Sequence, residues 1–225
     1  MHLAAIYGVS SVSYFCRATR VGGWCIYTII WKGLIIMYDI VIIGAGPAGA
    51  SAALFTSKAG KRTLLVDNDK SITKRALFWN YLGVMEMTGP DLVETGKKQA
   101  VKFGAELIVD QVTHIVKKDQ GFVVETKNKG QFEANQVILA TGLMVDLAEQ
   151  LGLETKPGTE PRVKTVLNVD NSGKTNVEGI WAAGVVAGAG FHAIITAGDG
   201  AKVAVNVISE LNGERYMDHD VLQTK

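Results

Sequence analysis

From residue 38 onward, the chain alternates short runs that are apolar throughout with longer stretches of helical period. "YDIVII", 38–43, is rich in isoleucine and valine with almost no polar alternation, the pattern of a parallel strand buried on both faces. A glycine-rich turn follows, then a helix through about Lys58, a turn at Gly60 and a second strand, "RTLLVD", ending at Asp67. Together they predict a βαβ unit of roughly 30 residues. Residues 68–88 include "FWNYLGV", which has aromatic side chains but no clean period. A helix is predicted over 90–103, with Pro90 and Asp91 in its first turn and Gly104 at its end.

Three short strands, "LIVDQVTHIVKK", "GFVVETK" and "GQFEANQ", then predict an antiparallel meander. "VILATG" is a further buried strand that runs into a glycine turn. "LETKPGTEPR" reads as loop from its Pro and Gly content, and strands are predicted near 163–169 and 179–183. The last element is a long helix over 192–211, stopped by Asn212 and Gly213. The sum is an α/β fold: a Rossmann-like doubly wound parallel sheet with crossover helices and an inserted antiparallel β-meander.

With 225 residues and a formal net charge of +1, the chain is one domain, or one domain with an appendage, and can bury a proper core. The near-neutral balance supplies no basic field for nucleic acid, so small molecules and proteins are the expected partners. The first 36 residues differ from the rest. They carry Arg17, Arg20 and Lys32, no acid, and both cysteines of the chain, Cys16 and Cys25. From Met37 onward there is no cysteine, which removes a redox disulfide, a thiolate nucleophile and a cysteine metal site from the body. The uncharged run 21–31 is far shorter than the roughly 18 to 20 apolar residues of a spanning helix, and no clear secretory signal precedes it. We therefore expect residues 1–36 to be an extension outside the fold, with translation beginning at Met37, and a cytoplasmic domain over 37–225. A peripheral membrane role for the extension is the alternative.

"GAGPAG", 44–49, carries the first chemistry. Gly44 allows a tight turn, Gly46 lets backbone approach phosphates, and Gly49 lets the helix pack close to the sheet. Pro47 suits a first helical turn because it has no N–H to satisfy. Free N–H groups there, Ala48 included, would face a pyrophosphate. Asp67, 18 residues beyond Gly49 and at the end of the second strand, is placed to accept from a ribose 2′-OH and would repel a 2′-phosphate. "GAGFHA", 188–193, formally repeats the pattern, but an uninterrupted helical stretch follows it and no second strand is reached.

The far segments narrow the ligand. "ATG" at 140–142, "GKTNVEGIWAAG" at 173–184, "AGDGAKVA" at 197–204 and "NYLGV" at 80–84 resemble elements of the thioredoxin reductase-like flavoproteins with two dinucleotide domains. The helix and meander beginning "GPDLVETGKKQAVKFGAELI" resemble them too. The resemblance implies that the first glycine motif holds FAD, within the FAD domain of such a protein. It also implies cofactor-binding positions at Asn80, Val112, Thr141, Gly142, Gly184, Val185 and His192, NAD(P)H as a diffusible electron donor, and a homodimer.

The departures from the family matter equally. A whole nicotinamide-binding domain with a Cys-x-x-Cys is inserted after the Ala-Thr-Gly strand in thioredoxin reductases, whereas 38 residues, 143–180, separate that turn from Trp181 here. Val185 stands where the family has the aspartate of Ala-Gly-Asp, a loss of one charge-assisted bond of roughly 1.5–3 kcal/mol, or about one to two powers of ten in affinity. Phe191 and His192 replace an Arg-Gln pair beside the flavin ring. His192 is either a flavin-side group at the positive end of the last helix or a surface or capping histidine. His114 is expected to be structural, Asp199 a helix-face residue, Gly198 and Gly200 sites of close backbone approach, and Trp79 and Trp181 core or pocket wall.

Three readings follow. In the first, the chain is an FAD-dependent oxidoreductase without disulfide activity of its own, reduced by NAD(P)H or by a partner protein. In the second it is a non-catalytic FAD- or NAD(H)-binding regulatory module. In the third it is the flavin subunit of a complex with a separate reductase.

Overall fold

The structure, a computed structural model, describes residues 15–21, 24–30, 37–218 and 220–222. Its contacts divide the chain into two units, 1–36 and 37–225. In the first, β1 (Phe15–Val21) and β2 (Trp24–Ile30) pair antiparallel. Their register sets Cys16 opposite Ile29 and Cys25 opposite Arg20, so the two cysteines are not cross-strand partners. The rest of the expected extension lies outside the described residues.

The second unit is built on β3 (Met37–Ile43), α1 (Pro47–Lys58) and β4 (Thr63–Asp67), the βαβ unit expected from the apolar runs. Both faces of β3 are closed, Ile40 and Ile42 on one side and Val41 and Ile43 on the other, which is why its sequence is continuous rather than alternating. After two two-residue strands, β5 (Leu77–Phe78) and β6 (Met87–Thr88), comes α2 (Gly89–Lys102). Thr88 caps this helix, its hydroxyl accepting from the Asp91 N–H at 3.2 Å.

The "LIVDQVTHIVKK" run is not one meander strand. It divides into β7 (Glu106–Val109), parallel to β4, and β8 (Val112–Lys117), antiparallel to β9 (Phe122–Thr126). The break is Asp110. Its Oδ1 accepts from the Gln111 N–H and the Asn128 side chain, and its Oδ2 from the N–H groups of Asn128 and Lys129, at 2.7–2.9 Å. Burial acts to raise the Asp110 pKa, but the Asn128 and Gln111 backbone bonds outweigh it and hold the carboxyl well below its usual range.

The separate strands expected at "GQFEANQ" and "VILATG" are one strand, β10 (Gly130–Leu139). Glu133–Leu139 pairs parallel with β3. The opposite edge is shared: its first half pairs antiparallel with β9, and its second half pairs parallel with β13 (Ile180–Ala182). The sheet order is β7-β4-β3-β10-β9-β8, with β13 also on β10, so a parallel core carries an antiparallel flank.

Between β10 and β13 lie α3 (Asp146–Leu151) and a hairpin of β11 (Thr155–Pro157) with β12 (Thr165–Leu167). Part of the stretch read as loop is therefore strand. α4 (Ala193–Asn212) ends at Gly213, whose φ of 72° is the left-handed geometry a helix stop requires. α1 and α4 pack over the sheet through small residues, with Ala48, Ala52 and Ala53 of α1 in the same core as Val203, Ala204, Val207 and Trp181. Trp181 is core, as expected, its indole N–H donating to Gln136 Oε1 at 2.8 Å. Trp79 is not: it is 70% exposed, because 79–86 is a surface turn in which its indole N–H reaches Glu86 at 3.0 Å.

Candidate functional site

Three turns meet at the carboxyl edge of the parallel strands. The first, 44–49, follows β3; the second, 140–144, follows β10; the third, 183–188, follows β13. A Cβ on Gly44, whose φ is +103°, would lie 2.4 Å from the Ala140 carbonyl oxygen, and one on Gly184 would lie 2.8 Å from the Ala48 Cβ. A Cβ on Gly49 would strike the Gly44 carbonyl oxygen at 1.7 Å. Gly44 and Gly184 are thus required by the approach of segments far apart in sequence, and Gly49 by the tightness of its own turn.

α1 starts at this junction. Gly46 precedes Pro47, no side chain caps the helix, and among the described residues no backbone carbonyl accepts from the N–H groups of Ala48 and Gly49. An uncapped, partly buried helix start of this kind presents donors and a positive dipole end to an anion. The residues fit a dinucleotide pyrophosphate. Thr141 turns inward on its own loop, its hydroxyl donating to the Met144 carbonyl at 2.5 Å, and Gly142 has a φ of +68°.

Asp67 lies beside the first turn: the Gly44 N–H donates to the carbonyl of Val66, one residue earlier, at 2.8 Å. It is not the open acceptor that sequence position suggests. Its residue is 2% exposed, its Oδ1 accepts from the Asp69 N–H at 2.9 Å, and its Oδ2 forms an ion pair with Lys97 of α2. The Lys97 ammonium is also 3.6 Å from Asp69, which pairs in turn with Lys74. Burial acts to lower the Lys97 pKa, but the Asp67 carboxylate more than offsets it and raises the value. The negative charge expected to repel a 2′-phosphate is therefore matched by a buried cation. Nothing local in sequence links Asp67 to Lys97. The available signal is that 97 falls on the buried stripe of α2, with Val93 and Ala100, where a lysine breaks the pattern.

At the third turn Val185 opens a short 3₁₀ turn and packs in a small apolar cluster with Val163 and Val166, flanked by Phe191. The position that carries an acid in the resembling family here seats the segment around β12. The nearby acid is Asp199 of α4, whose carboxylate accepts from the Gly184 N–H at 2.8 Å and pairs with Lys202 at 2.6 Å. It anchors the turn, a role its sequence position does not reveal. His192 is the exposed N-cap of α4, extended at φ −64° and ψ 131°, and its side chain makes no cap bond. The second glycine pattern leads only into α4, as expected from its sequence context.

The remaining expected positions are not gathered into this junction by any bond. Asn80 is exposed in the turn between β5 and β6. Val112 is half-buried at the head of β8, two residues beyond Asp110, whose N–H donates to the Asp67 carbonyl at 2.9 Å. His114 is exposed on β8, 3.8 Å from Glu125. Gly200 makes the expected close approach, but Gly198 meets nothing within 4 Å. No group of three or more His, Cys, Asp or Glu side chains suited to a metal, and no helix long and apolar enough to cross a membrane, occurs among the described residues.

Known proteins share part of this sequence and its fold. The chain is 40% identical over 116 residues to the thioredoxin reductase of Peptoclostridium acidaminophilum, covering 50% of this chain and 36% of that protein. It is 42% identical over 110 residues to that of Treponema pallidum (strain Nichols), covering 47% and 35%. The match thus spans about a third of the length of these curated relatives. Among solved structures, a thioredoxin reductase from Gloeobacter violaceus superposes with a TM-score of 0.69 at 21% identity, covering 83% of this chain and 99% of the other. The atypical thioredoxin reductase TRi from Desulfovibrio vulgaris Hildenborough gives 0.70 at 22%, covering 79% and 99%. At these identities the superpositions establish the fold. The family model for pyridine nucleotide-disulphide oxidoreductases matches residues 38–142 and 82–206, and the chain belongs to that family.

Proposed function

We propose that residues 37–225 form an FAD-binding oxidoreductase module of thioredoxin reductase-like type. The uncapped start of α1, enclosed by the three glycine turns, is the observation that carries this reading. Gly44, Gly46, Pro47, Ala48 and Gly49 would hold the pyrophosphate, Asp67 and Val112 the adenosine end, and the turns at Thr141–Gly142 and Gly184–Val185, with Asn80 and His192, the flavin end. Bound FAD would supply the hydride and electron chemistry. The protein's own part is to bind, orient and exclude water.

No cysteine lies in this unit, so it cannot pass electrons to a disulfide through thiols of its own. The electron donor would be diffusible NAD(P)H or a partner protein, and a homodimer is the expected assembly. The test is the absorbance spectrum of the purified protein followed by anaerobic titration with NADH and NADPH. A flavin band that bleaches with either nucleotide supports the reading. A colourless protein that acquires no flavin band on adding FAD overturns it. The apolar packing of Val185 favours one alternative, a flavin-binding module that does not turn over. That alternative predicts bound flavin that neither nucleotide reduces, alone or with cell extract.

A further inference from the structure

We infer that Lys97 is a positioning residue for the ribose of the bound dinucleotide, holding the Asp67 carboxylate in place so that its Oδ1 accepts from a hydroxyl of an adenosine ribose. The inference rests on the FAD reading above. Lys97 occupies the buried stripe of α2 between Val93 and Ala100, where an apolar side chain would fill the same space. Its side chain is 9% exposed and that of Asp67 3%. Lysine is almost never buried to this extent unless paired, and a buried pair seldom adds stability over well-packed apolar residues. The arrangement therefore points to a use other than holding the fold together.

Its geometry states that use. An ionised carboxylate has about four acceptor directions and an ammonium three donors. Asp67 has one direction of Oδ1 taken by the Asp69 N–H, and one of Oδ2 directed to Lys97. Oδ2 is sealed from solvent, so the direction left for a ribose hydroxyl is the second one of Oδ1. Without the ammonium, the carboxylate would sit buried with a single backbone donor and nothing to fix its orientation. Asp69, with a φ of 61°, and Lys74 close the loop around the pair, so the cation at 97 is held between two acids instead of facing solvent. Asp67 is also joined through the Val66 carbonyl to Gly44, which puts the pair directly beside the pyrophosphate turn.

The test compares the affinity of the flavin-stripped full chain for FAD and for an FAD analogue whose adenosine lacks the ribose 2′-hydroxyl, followed by quenching of flavin fluorescence. The wild type should favour FAD by about tenfold or more, the worth of one hydrogen bond to a charged group. In Lys97→Met the preference should fall to within about twofold, and Lys97→Arg, which restores a cation, should recover most of it. A purely structural role would weaken both ligands equally and leave their ratio intact. Should Lys97→Met fail to fold, Lys97→Gln, which keeps a neutral donor beside Asp67, carries the same comparison. Failure of both to fold would make Lys97 a structural residue and overturn the inference. A full preference for FAD in either folded variant would overturn it too, as would a wild type that binds FAD without any preference, and in these cases the FAD reading stands. A wild type that binds no FAD at all overturns both.

Discussion

Gly200 of α4 and Ala48 of α1 meet backbone to backbone: a Cβ on Gly200 would lie 2.0 Å from the Ala48 carbonyl oxygen. Two residues earlier on the same helix, Gly198 faces open space. The two glycines should therefore respond oppositely to the same substitution. Gly198→Ala gains helix propensity and is expected to be neutral or to stabilise by up to about 1 kcal/mol. Gly200→Ala must push α4 off α1, at a cost of about 1–3 kcal/mol or more. It should also lower flavin content, because Ala48 lies in the first turn of the helix that would face the pyrophosphate. Thermal denaturation and the ratio of flavin to protein check both outcomes.

Val185 permits a test that separates packing from family pattern. Restoring the acid with Val185→Asp would look like a repair from sequence alone. The structure gives the opposite expectation, because the carboxylate would enter the cluster of Val163, Val166 and Phe191. A loss of roughly 2 kcal/mol or more is expected, with no gain in FAD affinity. A chemical denaturation midpoint and a flavin titration measure the two quantities. Tighter flavin binding without loss of stability would sink the packing argument.

Asp199 holds the turn that begins at Gly184. Asp199→Ala leaves a buried N–H without its acceptor and should cost about 1–3 kcal/mol. Asp199→Asn retains an acceptor oxygen and should cost less. The ion pair to Lys202 adds little, because Lys202 is half-exposed and the pair is screened. Thermal shifts of the two variants, and of Lys202→Ala as a control, decide the order.

Tyr38 links the first strand of the body to its sheet edge. Its hydroxyl donates to Glu106 at 2.7 Å, and burial, then this bond, push its pKa up to about 12. The folded protein therefore holds the phenol proton more tightly than the unfolded chain. The resulting stabilisation is fully present below the ordinary tyrosine value of about 10 and is lost as pH rises through about 12. An ultraviolet titration of tyrosinate should show a late component that is missing in Tyr38→Phe.

Asp110 acts at the other end of the pH scale. Its folded pKa lies well below the usual range, so its contribution is present above about pH 4 and is lost as pH falls toward the depressed folded value. Asp110→Asn should destabilise the protein at neutral pH, with the difference from wild type shrinking in acid. Urea melts across that range measure it.

Much of this fold is legible along the chain because its elements are local statements. The βαβ unit, α2 with Pro90 and Asp91 in its first turn and α4 with its Gly213 stop each announce themselves through period, first-turn and breaker residues. The division of the run at Asp110 is not legible, since the donors that hold it, Asn128 and Lys129, come from a hairpin turn 18 and 19 residues away. The same holds for the site. The glycines of 44–49 declare their use by spacing, whereas Lys97 beside Asp67 and Asp199 beside Gly184 are products of packing between distant elements. Of the two readings of Trp79, core fails, because aromatic character says nothing about burial when the backbone around it is a surface turn.

The shared edge of β10 has a further consequence. One strand carries the antiparallel ladder over 130–134 and the parallel ladder over 137–139 on the same edge. The two halves of that edge touch through Gly179, which packs against the Phe122 ring, so releasing β9 exposes the residue that leads into β13. The amides of β3, β9, β10 and β13 should exchange with solvent as one cooperative unit, near the global unfolding free energy. The partners in that unit are far apart in sequence, so β3 must wait for residues 180–182 before the unit can close.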